Sequence, residues 1–327
     1  MSYALDPELH AAVGAPPPVD LRDIPAARSA EAERLASAPA PDGTGVRVRL
    51  VEVPLPQGPA LTLRVYTPVD HCEGAAPLPA VYDIHGGGFV LGSVAATHAR
   101  SIGLCAKLRA VVVAVEYRLA PENPFPAPLE DCYAGLVWTA SHGGEYGVDP
   151  TRIALHGQSA GGGLAAALAL LARDRGGPEP CFQYLGSPAL DDRMSTASMR
   201  DFVDTPAWDR ANARISWSSY LGEGVPGSEQ VSPYAAPARA TDLRGLPSAY
   251  VAAAQFDPLR DEAIAYALAL QAAGVAVELH LFPGAFHGSV GVTSAEVSRR
   301  EQAEEIQVLR RALHGPGAAE PGEGHGG

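Results

Sequence analysis

Cysteine is scarce in this sequence: Cys72, Cys105, Cys132 and Cys181 are the only four in 327 residues, with no C-x-x-C and no paired Cys/His pattern. That excludes a disulfide scaffold and a thiolate metal site, and the expectation is reduced thiols buried as small apolar residues. Basic residues are in deficit as well. With 24 Lys and Arg against 37 Asp and Glu, the formal net charge is −13 and no basic cluster interrupts the acidity. Such a chain is unsuited to a nucleic-acid backbone or an anionic membrane surface, so neither is expected as a partner. Long apolar runs are missing. The longest strongly apolar helical stretch, Leu164 to Ala172, is far short of the roughly 20 residues that cross a bilayer. Met1 to Glu8 lacks the charged start and apolar run of a signal peptide, and the expected location is the cytoplasm.

Hydrophobic residues make up 46% of the chain, the composition of a soluble globular enzyme. The length suits one large α/β domain with inserted elements. There is no internal repeat; strand and helix signals alternate. Val46 to Val53 and Leu61 to Tyr66 alternate like two early strands joined by Pro54 to Pro59, and Pro79 to Ile84 is a third. A helix is expected near Thr97 to Leu108, then a near-continuous apolar strand, Ala110 to Val115, whose composition implies burial on both faces. Pro128 to Ser141 reads as a helix, and Asp149-Pro150 opens the approach to an apolar run at Ile153 to Leu155. Later strands are expected at Phe182 to Leu185, Ser248 to Ala254 and Val275 to Phe282, and helices at Asp261 to Ala273 and Ser294 to Ala312. This alternation implies an α/β fold with a mainly parallel sheet covered on both faces. Residues 1–45, rich in Ala and Pro with an amphipathic piece at Ala26 to Ala36, and residues 191–225, carrying Met194, Met199, Phe202, Trp208, Trp217 and Tyr220, do not fit it. The Gly- and Pro-rich tail, 315–327, is expected to be disordered.

Where the Ile153–Leu155 run gives way to a small-residue helix, the chain reads Gly157-Gln158-Ser159-Ala160-Gly161. In a strand-to-helix context this G-x-S-x-G is a candidate nucleophile elbow, in which a serine on a sharp turn is exposed to substrate and the glycines leave it room. Alone it is also compatible with a plain glycine-rich turn. An oxyanion hole upstream, and an acid and a histidine downstream in that order, would make it a hydrolase site.

Both are present. Pro79 to Ile84 runs into His85-Gly86-Gly87-Gly88-Phe89, three glycines whose backbone N–H groups can converge on one oxygen. No Gly-Lys-Ser/Thr follows, which argues against a phosphate loop. The N–H groups of Gly87, Gly88 and Ala160 are the candidate oxyanion hole. Downstream, Ser248 to Ala254 leads to Asp257, on the sheet edge where catalytic groups gather in open α/β folds. Its rival Asp261 is read as starting the next helix. Among the histidines that follow, His280 lies in an alternating strand, His314 ends a helix and His325 lies in the tail. His287, in Phe282-Pro283-Gly284-Ala285-Phe286-His287-Gly288, sits just past a strand and is the candidate base. The order Ser159, Asp257, His287 is that of α/β-hydrolases.

Taken together these motifs resemble the hormone-sensitive-lipase-like group of bacterial carboxylesterases. Glu116-Tyr117-Arg118-Leu119-Ala120-Pro121-Glu122, followed by Phe125-Pro126 and Asp131, is similar to a further hallmark of the group, as is Asp257-Pro258-Leu259-Arg260-Asp261. One departure is visible: the group's elbow often has aspartate before the serine, and here Gln158 stands there, which bears on local hydrogen bonding. The resemblance implies the α/β-hydrolase fold, with a mostly parallel eight-stranded sheet, helices on both faces and a helical cap. Residues 1–45 and 191–225 would form the cap, and 46–190 and 226–314 the two parts of the catalytic core. The implied reaction is hydrolysis of small-molecule carboxylic esters through an acyl-enzyme, with no metal and no cofactor.

Gly157 to Gly163, with Leu190-Asp191-Asp192-Arg193 and Phe202 to Trp208, is similar to members of the group that release acetyl or other short acyl groups. Phe202 and Trp208 are the candidate substrate contacts, against the alternative that these aromatics only fasten the insertion. The group also implies a homodimer paired through the edge at Val275 to Phe282. An amidase or an acyltransferase would share the acylation chemistry, and a non-catalytic small-molecule receptor on this fold would have no need of all three residues.

Overall fold

The computed structural model describes residues 3–13, 19–55, 58–72 and 74–316. The tail beyond Pro316, where disorder is expected, lies outside the described residues. The apolar runs form the strands β1 (Val46–Val53), β2 (Leu61–Pro68), β3 (Leu78–Ile84), β4 (Val111–Val115), β5 (Val148–Gln158), β6 (Phe182–Gly186), β7 (Ser248–Phe256) and β8 (Val277–Phe286). They make one sheet in the order β1-β2-β4-β3-β5-β6-β7-β8. β2 runs antiparallel to both of its neighbours, whereas β3 to β8 all run parallel. The all-apolar β4 is buried along its whole length, as a central strand covered on both faces must be.

Two helix layers cover the sheet. On one face pack α4 (Ala127–His142), α5 (Ala160–Arg175) and α8 (Arg260–Ala272), and on the other α3 (His98–Leu108) and α9 (Glu296–His314). In α5 the sequence is almost wholly Ala, Gly and Leu, so it is slim enough to lie flat on β5 and β6, with Ala160 to Ala172 buried. It stops at Gly176, which takes the left-handed conformation (φ 61°).

The two stretches outside the alternation meet each other. The N-terminal segment holds α1 (Pro7–Ala12) and α2 (Ile24–Ser37), and the insertion between β6 and β7 holds α6 (Ala197–Asp201) and α7 (Arg210–Leu221). Asn212 of α7 accepts from Leu21 N at 3.1 Å and donates to Val19 O at 2.9 Å. In α2 the half-buried residues Ile24, Ala27, Arg28, Glu31 and Leu35 share one face, on which Ile24 and Ala27 pack against the core and none is fully buried. Polar contacts add to this: Arg28 donates to Val90 O and Ala120 O at 2.9 and 2.8 Å, and Glu31 accepts from Gly92 N at 3.0 Å. Cys105 and Cys132 are buried as expected; Cys181 is half-buried and Cys72 exposed.

Candidate active site

Four parallel strands deliver their C-terminal ends to one edge of the sheet: β3 runs into His85, β5 into Ser159, β7 into Asp257 and β8 into His287. Ser159 sits between β5 and α5 with φ 56° and ψ −121°. A non-glycine residue held there carries on the order of 1–3 kcal/mol of backbone strain, which the surrounding packing must hold. Its N–H donates to Gly186 O at 2.8 Å, and its carbonyl accepts from Gly163 N at 3.0 Å. The start of α5 presses on the end of β3 so closely that a Cβ at Gly161 would stand 2.0 Å from Ile84 O.

The structure brings the three candidate residues together. His287 Nε2 is 2.9 Å from Ser159 Oγ, and His287 Nδ1 is 2.7 Å from Asp257 Oδ2. Asp257 is fully buried, and its other oxygen accepts from Leu259 N at 2.8 Å. Asp261 lies within the first turn of α8, as expected of a residue that starts that helix, but the capping role expected of it needs correction. Its carboxylate accepts from Ser198 N at 2.7 Å and pairs with Arg260, so it fastens α6 and does not cap its own helix. His280 is in β8, 2.7 Å from Glu304, and His314 ends α9 beside Leu108 O.

The glycine loop lies over the same point. At Gly87, φ is 119° and a Cβ would stand 2.2 Å from Leu91 O, so only glycine fits. Among the described residues, none of the N–H groups of Gly87, Gly88 and Ala160 donates to another protein group. Ala160 opens α5, where unpaired amides and the helix dipole favour negative charge. His85 stacks on Tyr117 at 4.1 Å, and Tyr117 Oη donates to His85 O at 2.9 Å, which clamps the base of the loop. Burial pushes the His85 imidazole down to about 4, so it is neutral at ordinary pH.

Trp208 and Phe202 part company. Trp208 is buried 5.8 Å from the His287 ring, with its benzo edge on Gly88: a Cβ there would be 2.6 Å from Cη2. The Trp208 indole N–H is buried without an acceptor among the described residues. Phe202 instead packs against Tyr3, Phe256 and the Arg260 guanidinium, contacts that fasten the insertion. Ser216 of α7 donates to Gly88 O at 2.6 Å, and Trp217 and Tyr220 pack on Phe89. Residues 191–225 thus press on the glycine loop through several side chains.

A model of the alpha/beta hydrolase fold matches residues 81–291, the span that holds every motif of this site. The chain belongs to the hormone-sensitive-lipase-like α/β-hydrolase family. It is similar to Esterase LipI of Mycobacterium tuberculosis, 40% identical over 82% of this chain and 83% of that protein. Carboxylesterase NlhH of the same species is 41% identical over 72% of this chain and 75% of that one. Among solved structures, bacterial heroin esterase superposes with a TM-score of 0.90 at 48% identity, over 95% of this chain and 98% of that one.

Sequence reasoning missed the clamps around this family member's site: Arg28, Glu31 and Ser216 act on the glycine loop from distant segments with no local signal. It also missed a charged set behind Ser159, made of the buried Asp83, His156 and Glu305 with the half-buried Arg100. There a signal existed, since Asp83 and His156 interrupt otherwise apolar strands.

Proposed function

We propose that the chain is a serine carboxylesterase that hydrolyses small-molecule esters of short, acetyl-type acids through an acyl-enzyme. It is a carboxylic ester hydrolase on the α/β-hydrolase fold, in line with the esterases it is similar to. The observation that carries the serine mechanism is the unbroken hydrogen-bonded line Ser159 Oγ, His287, Asp257, with lengths of 2.9 and 2.7 Å.

His287 Nε2 takes the proton from Ser159 Oγ as that oxygen bonds to the ester carbonyl carbon. Asp257 holds the imidazole in the tautomer with hydrogen on Nδ1 and stabilises the cation that forms. The carbonyl oxygen gains the negative charge and is met by the N–H groups of Gly87, Gly88 and Ala160; one such donor typically supplies about 3–4 kcal/mol of transition-state stabilisation. When the tetrahedral intermediate collapses, the C–O bond to the alcohol breaks and His287 returns the proton to the leaving oxygen. Water, deprotonated by the same nitrogen, then attacks the acyl-serine and releases the acid.

The short-chain reading rests on Trp208. Its ring lies against both Gly88 and His287, with Ser216 Oγ beside it at Gly88, and in that position it would wall the acyl site and favour a short acyl group. The N-terminal segment and residues 191–225 act together as the cap, joined through Asn212. The homodimer through β8 is supported only by its position at the sheet edge, with Leu279 and Leu281 exposed. The test is hydrolysis of p-nitrophenyl esters from acetyl to dodecanoyl, beside matched anilides. The expected result is a peak at acetyl to butanoyl with anilides inert; faster anilide cleavage would make the enzyme an amidase, and no turnover of any ester would overturn the reading.

A further inference from the structure

Gln158 and His156, two residues apart on β5, point to the same face of the sheet, toward α3 and α9. Beneath that face lies a closed set of charges. Asp83 of β3, which faces His156 across the parallel ladder, is 2.7 Å from His156 Nδ1 and accepts from Ser101 Oγ at 3.0 Å. Glu305 Oε1 of α9 is 2.8 Å from His156 Nε2 and 2.6 Å from Arg100 Nη2. A carboxylate sits on each His156 ring nitrogen: burial works against the charged imidazole, but hydrogen bonds to Asp83 and Glu305 prevail and raise its pKa. Glu305 is likewise driven down to about 2, its burial outweighed by the Arg100 charge and the His156 bond. Arg100 and His156 are thus tied to Asp83 and Glu305 by short hydrogen bonds, and such a network is stiff.

Gln158 joins this network to Ser159. With its amide oxygen turned to the guanidinium, it accepts from Arg100 Nη2 at 2.7 Å and Nη1 at 3.3 Å. The same amide lies flat on Gly186, where a Cβ would stand 2.2 Å from it. Gly186 in turn supplies the carbonyl that receives the Ser159 N–H at 2.8 Å. Arg100 therefore grips the side chain immediately before the nucleophile, and that side chain rests on the residue that fixes the nucleophile's backbone.

We propose that Arg100 and Gln158 are positioning residues for Ser159: the guanidinium, anchored by Glu305, holds the Gln158 amide on Gly186 and so keeps Ser159 in its strained conformation, with Oγ at His287. The proposal rests on the reading of Ser159 as nucleophile. It assigns to Gln158 an acceptor role, which a carboxylate could also fill and a hydrocarbon could not.

The experiment compares parent, Gln158→Leu, Gln158→Glu, Arg100→Lys and the Gln158→Leu/Arg100→Lys double variant on p-nitrophenyl acetate, with active sites counted by a phosphonate titrant and folding checked by circular dichroism. Displacing Oγ by a fraction of an ångström is expected to lower kcat of Gln158→Leu by about 10- to 100-fold, with KM within about threefold of the parent. Gln158→Glu is expected to stay within about threefold of the parent in kcat. Arg100→Lys is expected to lose kcat as Gln158→Leu does, because one ammonium cannot serve Glu305 and Gln158 with the geometry of the fork. The double variant is expected to be no slower than the slower single one, as two links of one chain require. Parent-like kcat in Gln158→Leu, equal losses in the Leu and Glu variants, or losses that multiply in the double variant would each overturn the proposal. If Gln158→Leu does not fold, Arg100→Lys decides by the same criterion. A parent without activity would overturn the esterase reading itself, whereas an active parent with indifferent variants would overturn only the positioning role.

Discussion

Trp208→Ala separates a wall of the acyl site from a residue that only packs. The indole is 8% exposed, its benzo edge touches Gly88, and its ring centre is 5.8 Å from that of His287. A buried aromatic ring covers about 200 Å², which at about 25 cal/mol per Å² is about 5 kcal/mol of burial. Measured Trp→Ala losses of about 3–5 kcal/mol agree with that scale. The lower end is expected here, because Trp208 gives up an indole N–H that has no acceptor among the described residues. The vacated space adjoins the reacting atoms, so a longer acyl chain can enter it. Each methylene transferred from water adds about 0.8 kcal/mol, so the four that separate acetyl from hexanoyl are worth about 3 kcal/mol, a ceiling near 200-fold. Partial filling still leaves at least about tenfold. The assay is the ratio of kcat/KM for p-nitrophenyl hexanoate to that for the acetate, in parent and variant, with denaturant unfolding run alongside. The ratio is expected to rise at least about tenfold while stability falls by about 3 kcal/mol. A ratio unchanged within about twofold, with the stability loss present, would make Trp208 a packing residue and remove the basis for the short-chain preference.

Two further outcomes follow from the same geometry. Gly87→Ala places a methyl 2.2 Å from Leu91 O at φ 119°, so the loop must shift; kcat/KM is expected to fall by about 10²–10³ in a folded protein, and a loss below about threefold would show that the Gly87 amide is not in the oxyanion hole. Glu301 of α9 is pushed up to about 8, chiefly by burial and then by the Glu305 charge. Its folded value lies above its unfolded one, so its contribution to stability is complete below about pH 4.5 and is lost as pH rises toward 8, at about 1.4 kcal/mol per pH unit. Glu301→Gln should therefore flatten the fall in unfolding free energy between pH 5 and 8, and an unchanged slope would place that dependence elsewhere.

Much of this was legible because the site is built from strand ends and the residues just beyond them. Apolar runs gave the strands, and the glycine patterns marked the two loops where backbone approaches backbone. The missed parts have physical reasons. Pro283-Gly284 reads as a break, yet β8 continues to Phe286. β8 is the edge strand, where a residue without an N–H costs no ladder bond, and the pairing shifts register between Ala254 and Phe256. Asp261 has the sequence position of a helix cap, but its partner, Ser198, comes from an insertion 63 residues away. Arg28 and Glu31 look like ordinary solvated charges on α2, and only the folded chain sets them against the glycine loop. The aromatics of the insertion could not be divided by pattern: Trp208 and Phe202 are six residues apart and contact opposite things.

The central claim, that Ser159 is the nucleophile, is tested most directly by reacting parent and Ser159→Ala protein with diethyl p-nitrophenyl phosphate, locating the adduct by peptide mass spectrometry and measuring kcat on p-nitrophenyl acetate for both. The expected result is one phosphoryl group on Ser159 of the parent, none on the variant, and a kcat lower by about 10⁶. An adduct on another residue, or a variant within about tenfold of the parent, would contradict the account.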